Sequence, residues 1–134
     1  MAIKFLPHTA DIKFQASGPT LEKAFEESAK ALRQTITKLK IQEKQEKGIS
    51  IKAKDKESLL YNFLEEFLFL LDAENFILSK IKEIKIKNLS LTATISGDKA
   101  SSYKISNDVK AITYNQMFVK KQGDKFICQV VLDV

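Results

Sequence analysis

The sequence holds 134 residues, 44% hydrophobic and 29% charged, the size and balance of one domain over 1–134 whose core buries roughly two-thirds of the unfolded chain's surface. One cysteine, Cys128, and one histidine, His8, exclude an internal disulfide framework and a zinc module; no apolar run has the length of a secretory leader or a membrane span, so a soluble cytoplasmic protein is expected. The 22 basic against 17 acidic residues give +5, but only Arg33 is an arginine, so bidentate readout of guanine or phosphate is almost absent and the lysines read chiefly as a solvated surface, with screened attraction to RNA as the lesser alternative.

Ile3 to Leu6 reads as a short strand, and Pro7 to Ala10 as the connection to a second one in which Ile12, Phe14 and Ala16 share a face. Gly18-Pro19-Thr20 supplies a break and an N-cap. Leu21, Phe25, Ala29, Leu32, Ile36 and Leu39 then recur at helical spacing for about five turns. After the charged stretch 38–47, Ile49, Ile51 and Ala53 alternate as a strand. Asp55 and Ser58 can cap a second helix, Leu59 to about Ala73, whose apolar surface is wider than one stripe and predicts a buried central helix.

From Phe76 the period returns to two, with a hairpin about Lys87-Asn88, a polar irregular segment from Gly97 to Asp108, and a second hairpin joining 109–120 to 125–134 across Gln122-Gly123-Asp124. The order predicts an α+β, two-layer fold, two helices packed on one face of a mixed, mainly antiparallel sheet.

Three segments can carry chemistry. In His8-Thr9-Ala10-Asp11 an acid opens a strand; such an aspartate serves most often as a turn acceptor, and a ligand role is the alternative. In Leu132-Asp133-Val134 a side-chain carboxylate lies next to the last residue, whose own carboxylate would add hard oxygen suited to a divalent cation; a plain exposed end is the other reading. In Val109 to Asn115, Lys110 is expected to share a face with Ile112, Tyr114 and Phe118, either to stack on and neutralise a nucleotide or simply to pack.

Together these segments resemble the archease family. The residues that carry the likeness are PHTADI at 7–12, the following ASGPTLEKAFEESAKAL, the helix SLLYNFLEEFLFLLDAENF, VKAITYNQMFV and the closing VVLDV, in order and from end to end. The resemblance implies an archease-like fold and a protein that is not an enzyme. It implies instead a cofactor of the RtcB-type RNA-splicing ligase that promotes guanylylation of the ligase and its multiple turnover in tRNA splicing or RNA repair, meeting RNA through the ligase and no membrane. It further implies a divalent ion, calcium as the bound species with manganese or magnesium as alternatives, held by Asp11, Asp133 and Val134. His8 and Lys110 are then candidates for contacts around that ion or with the partner. The chain departs from the family pattern at Asn115, where many members carry histidine, and at Gly97-Asp98, where Gly-Glu followed by a histidine is usual. A stand-alone basic RNA-binding module is the alternative function, and a metal-dependent hydrolase lacks ligands and a base beyond His8.

Overall fold

The computed structural model describes residues 1–7 and 11–134. The periodicities resolve there into seven strands and two α-helices: β1 (Ala2–Leu6), β2 (Ile12–Gly18), α1 (Leu21–Ile36), β3 (Gln45–Lys52), α2 (Lys56–Glu74), β4 (Phe76–Lys87), β5 (Ser90–Lys99), β6 (Ala111–Gln122) and β7 (Lys125–Asp133), with one 3-10 turn at Ala100–Ser102.

Both helices start where their caps require. Thr20 Oγ1 accepts from the Lys23 amide at 3.1 Å. Asp55 Oδ1 accepts from the Ser58 amide at 2.7 Å while Ser58 Oγ accepts from the Asp55 amide at 3.3 Å, a reciprocal capping box. Helix α2 ends at Asn75, whose left-handed backbone (φ 52°) closes the last turn. Helix α1 stops three residues before the expected Leu39. Thr37 turns extended, its Oγ1 accepts from the Leu39 amide at 3.2 Å, and the Arg33 guanidinium donates to the Thr37 and Leu39 carbonyls at 3.1 and 2.7 Å. A side chain that offers the backbone a local partner competes with the helix at this point. Leu39 is consequently left 49% exposed.

The strands form two sheets, four-stranded β1-β2-β7-β6 and three-stranded β3-β5-β4, rather than one, and every paired neighbour among the described residues is antiparallel. Helix α1 packs on β2 and β7 of the first sheet and β4 of the second; α2 packs on β6 of the first and on β3 and β4 of the second. Burial from more than one side accounts for the broad apolar surface of α2, where Leu59, Leu60, Phe63 and Leu64 are fully buried. The polar segment begins later than expected, since β5 continues through Gly97 and Asp98 to Lys99. Gly97 has a steric reason to be glycine: a Cβ there would collide with the Ile77 carbonyl oxygen and stand 2.6 Å from the Phe76 ring.

Phe63 sits at the centre of the core, its ring 5.8 Å from that of Phe25 and 5.0 Å from that of Phe67. Phe63→Ala is expected to lower the unfolding free energy by about 3–5 kcal/mol through lost contacts and the cavity left behind. Urea denaturation checks this, and a loss under about 1 kcal/mol would show that the helices are not clamped there.

Candidate functional site

The central pair of the larger sheet is β2 and β7, and its register decides which residues meet. Ile12, Phe14 and Ala16 lie across from Leu132, Val130 and Cys128 on the face that carries the helices. Lys13, Gln15 and Ser17 lie across from Val131, Gln129 and Ile127 on the opposite, outer face. The ladder ends at Ile12 and Leu132; Asp11 precedes it in a bend, and Asp133 follows Leu132 as the last residue of β7. Two acids separated by almost the whole chain thus stand at the same end of the β2–β7 pair.

The strand end that bears Asp133 is anchored on several sides. Asp133 pairs with Ala111 of β6, and its carbonyl accepts from the Lys110 amide at 2.8 Å. Leu132 is fully buried and Val134 packs against the core. The Asp133 side chain is exposed and Asp11 is half-buried. Lys110 therefore meets the pair through its main chain, just before β6, with its side chain exposed. His8 lies outside the described residues. A cleft of about 410 Å³ opens beside Asp11, between Phe5 and Lys13 on one side and Thr35 and Lys38 at the end of α1 on the other.

Next to the pair, β6 departs from its regular ladder. Thr113 faces Val131 and Phe118 faces Gln129, so β6 uses five residue steps where β7 uses two. The excursion holds Gln116 in the left-handed region (φ 56°) and is tied down by a polar relay. Gln15 Nε2 donates to Gln129 Oε1 at 2.8 Å, Gln129 Nε2 to the Gln116 carbonyl at 2.7 Å, and Lys13 Nζ to Gln116 Oε1 at 2.7 Å. The three extra residues reverse the parity of the strand: Ile112 and Val119 are both buried, while Phe118 falls on the outer face. The expected single face of Lys110, Ile112, Tyr114 and Phe118 is therefore broken. Tyr114 instead stacks on Tyr61 of α2, with ring centroids 4.3 Å apart and planes 5° off parallel. Asn115 is exposed on this excursion.

Two further groups complete the inventory of reactive side chains. Cys128 is fully buried, and burial pushes its thiol up to about 12, which disfavours the reactive thiolate. Asp98, expected in a polar loop, is buried on β5, where it accepts from the Tyr103 hydroxyl at 2.7 Å and the Lys99 amide at 2.8 Å. The Tyr103 oxygen in turn accepts from the Gln42 amide at 3.0 Å, which ties the α1–β3 connection to the segment after β5. Only the partners, not the acid, could have marked it in the sequence. Among the described residues no group of three or more His, Cys, Asp or Glu side chains is placed to hold a metal ion, and those at the strand ends offer an ion the two aspartates and main-chain oxygen. Such an all-oxygen set suits a hard cation such as calcium, manganese or magnesium.

Residues 4–134 match the family described as Archease protein family (MTH1598/TM1083). Proteins named archease from Pyrococcus furiosus and Methanosarcina barkeri are 39% and 36% identical to this chain, over 95% and 98% of it and 94% of each of theirs. The solution structure of Protein 1598 of Methanobacterium thermoautotrophicum superposes with a TM-score of 0.83 at 33% identity, covering 98% of both chains. The crystal structure of an archease from Thermotoga maritima, described as a possible chaperone, has a TM-score of 0.70 at 22% identity and covers 98% of this chain and 96% of its own, a likeness of fold.

The Asp98 carboxyl is held below the usual carboxylate range, first by the Tyr103 hydroxyl and then by the Lys99 amide. A depressed folded-state value contributes stability that is present above the unfolded value and is lost as pH falls through the folded one, here below about pH 4. Tyr103→Phe is therefore expected to lower the melting temperature at pH 7, with the gap to the unmodified protein narrowing below about pH 4. A gap independent of pH would assign Tyr103 to packing alone.

Proposed function

The chain belongs to the archease family, and on that premise we propose that it is an accessory protein of an RtcB-type RNA-splicing ligase, acting through a divalent cation held at Asp11 and Asp133. The observation that supports the reading is the β2–β7 register, which brings Asp11 and Asp133 to the same end of the sheet, where a cleft opens beside Asp11. When bound, the cation supplies charge that offsets phosphate oxygens during transfer of a guanylyl group. The chain's own part is to position: Leu132 and the Lys110 amide hold the last strand in register, the Asp133 carboxylate is presented to solvent, and a Val134 main-chain oxygen stands next to it.

The Asp133 side chain is exposed, so its removal should not harm the metal-free fold. An all-oxygen set with few protein ligands binds loosely and can release its ion to a partner site. Helix α2 and the core lie apart from these groups, which lets stability and stimulation be separated by mutation. No helix among the described residues is long and apolar enough to cross a membrane.

With the cognate ligase, GTP and manganese, substoichiometric amounts of the protein are expected to raise the number of ligations per ligase molecule, whereas the protein alone joins no RNA. Asp11→Ala and Asp133→Ala should each abolish the stimulation and weaken cation binding by at least about tenfold, since even partners outside the coordination shell are typically worth that much. The melting temperature of Asp133→Ala in EDTA should stay level. Full stimulation by the double variant would contradict the cation mechanism, and no stimulation by the unmodified protein would contradict the partnership.

A further inference from the structure

The helices cover only one face of the four-stranded sheet, and the charge of the outer face is one-sided. Strands β1, β2, β6 and β7 together carry five lysines, Lys4, Lys13, Lys120, Lys121 and Lys125, against a single acid, Asp133, with Asp11 and Asp124 just outside the strands. The register puts four of the five on the outer face: Lys4 lies across from Gln15, Lys125 across from Gln122, Lys120 across from Ile127, and Lys13 across from Val131. Lys121, opposite Phe126, belongs to the other side. None of the four outer lysines is in an ion pair among the described residues, in contrast to Lys47, Lys80 and Lys82 of the smaller sheet, which pair with Glu74, Glu43 and Glu46.

The middle of this face is closed, with Val131 and Gln129 buried and Gln129 bonded to the Gln116 main chain. The end nearer the β6–β7 turn is open. A hollow of about 220 Å³ lies there, lined by Lys4, Gln15, Ser17, Gln122, Lys125 and Ile127 beside Ala2, with no acidic side chain. At its margin Lys120 Nζ sits 4.1 Å from the centroid of the Phe118 ring, which holds that charge over the face.

We propose that this hollow and the lysines around it bind the backbone of single-stranded RNA. Unpaired lysine charge without arginine gives sequence-independent attraction to phosphates. The Gln122 amide and the Ser17 hydroxyl both donate and accept, as the 2′-hydroxyls of an RNA backbone do, whereas the carboxylates of an acidic peptide can only accept. A sheet face offers an extended strand a shallow surface and has no projecting element to enter a duplex groove. The hollow lies on the same face as the Asp11–Asp133 end, roughly 20 Å away along β2 at the strand rise per residue. The inference stands apart from the cation reading, because it concerns RNA bound by this chain alone and without metal.

Fluorescence anisotropy with a 5′-labelled 20-nucleotide oligouridylate, in EDTA, tests it. Binding in the micromolar range is expected at 50 mM salt. Four phosphate contacts on a single strand give a slope of log affinity against log salt of about −2.8, or about a 50-fold loss by 200 mM. Lys4→Glu with Lys125→Glu should weaken binding at least tenfold, and the milder Lys4→Gln with Lys125→Gln should flatten the salt slope by about 1.4 while leaving the circular dichroism spectrum unchanged. Lys30→Glu with Lys87→Glu, the same charge change elsewhere on the surface, should alter affinity less than threefold. No binding at 100 µM protein, an equal effect of the control pair, or displacement of the RNA by poly-glutamate at equal charge concentration would each overturn the proposal, the last by assigning the face to an acidic peptide.

Discussion

The antiparallel register between β2 and β7 is the constraint on which the rest of this molecule's candidate chemistry depends. Strand side chains alternate with period two, so a slip of one residue would bring Lys13 into the core and turn Phe14 out of it. The register is held hardest on the helix side, where Phe14, Ala16, Cys128, Val130 and Leu132 have no exposure. The outer-face relay of Gln15, Gln129 and Gln116 reads the same alignment a second time. Hydrophobic packing on one face thereby aligns the strand ends that bear the acids.

The same division of labour runs through the whole domain. Helix α2 is buried by β6 of one sheet and by β3 and β4 of the other, so the apolar residues that stabilise the fold are concentrated between the layers. Polar function is left to the strand ends, the outer face and the long β6 excursion. That excursion is itself secured from both sides: Gln116 by the relay on the outer face and Tyr114 by its stack on Tyr61. Within the family likeness, Asn115 falls on this strapped segment, and Gly97-Asp98 falls on a buried part of β5 that closes the α1–β3 connection. The first departure is at an exposed position and the second is built into the core.

What the sequence made legible follows the range of the interactions involved. Thr20, Asp55 and Ser58 could be read as caps because their partners are three residues away. The two hairpins and the faces of β2 and β7 could be read from alternation. The end of α1 could not, because Thr37 and Arg33 override a helical spacing that continues to Leu39. The excursion in β6 was hidden because Gln129 and Lys13 hold it from 13 and 103 residues away. Alternation says that a strand has a buried face but not which strand it pairs with, so the division into two sheets was not visible. Asp11 and Asp133 were each recognisable as acids at strand ends; their adjacency at one end of the β2–β7 pair, as far as the ladder carries it, follows from the register.

Amide line-broadening by manganese in a two-dimensional nitrogen–proton spectrum probes that adjacency directly, since the paramagnetic ion marks whichever carboxylates it binds. Substoichiometric manganese should broaden the signals of residues 11–13, 110–112 and 131–134 first. The amides of 122–125, roughly 25 Å away along β7 at the strand rise per residue, should stay sharp. Asp11→Ala should remove the effect. Broadening that begins around Glu43 and Glu46 instead, or that survives in the variant, would contradict a cation site formed by the β2–β7 register.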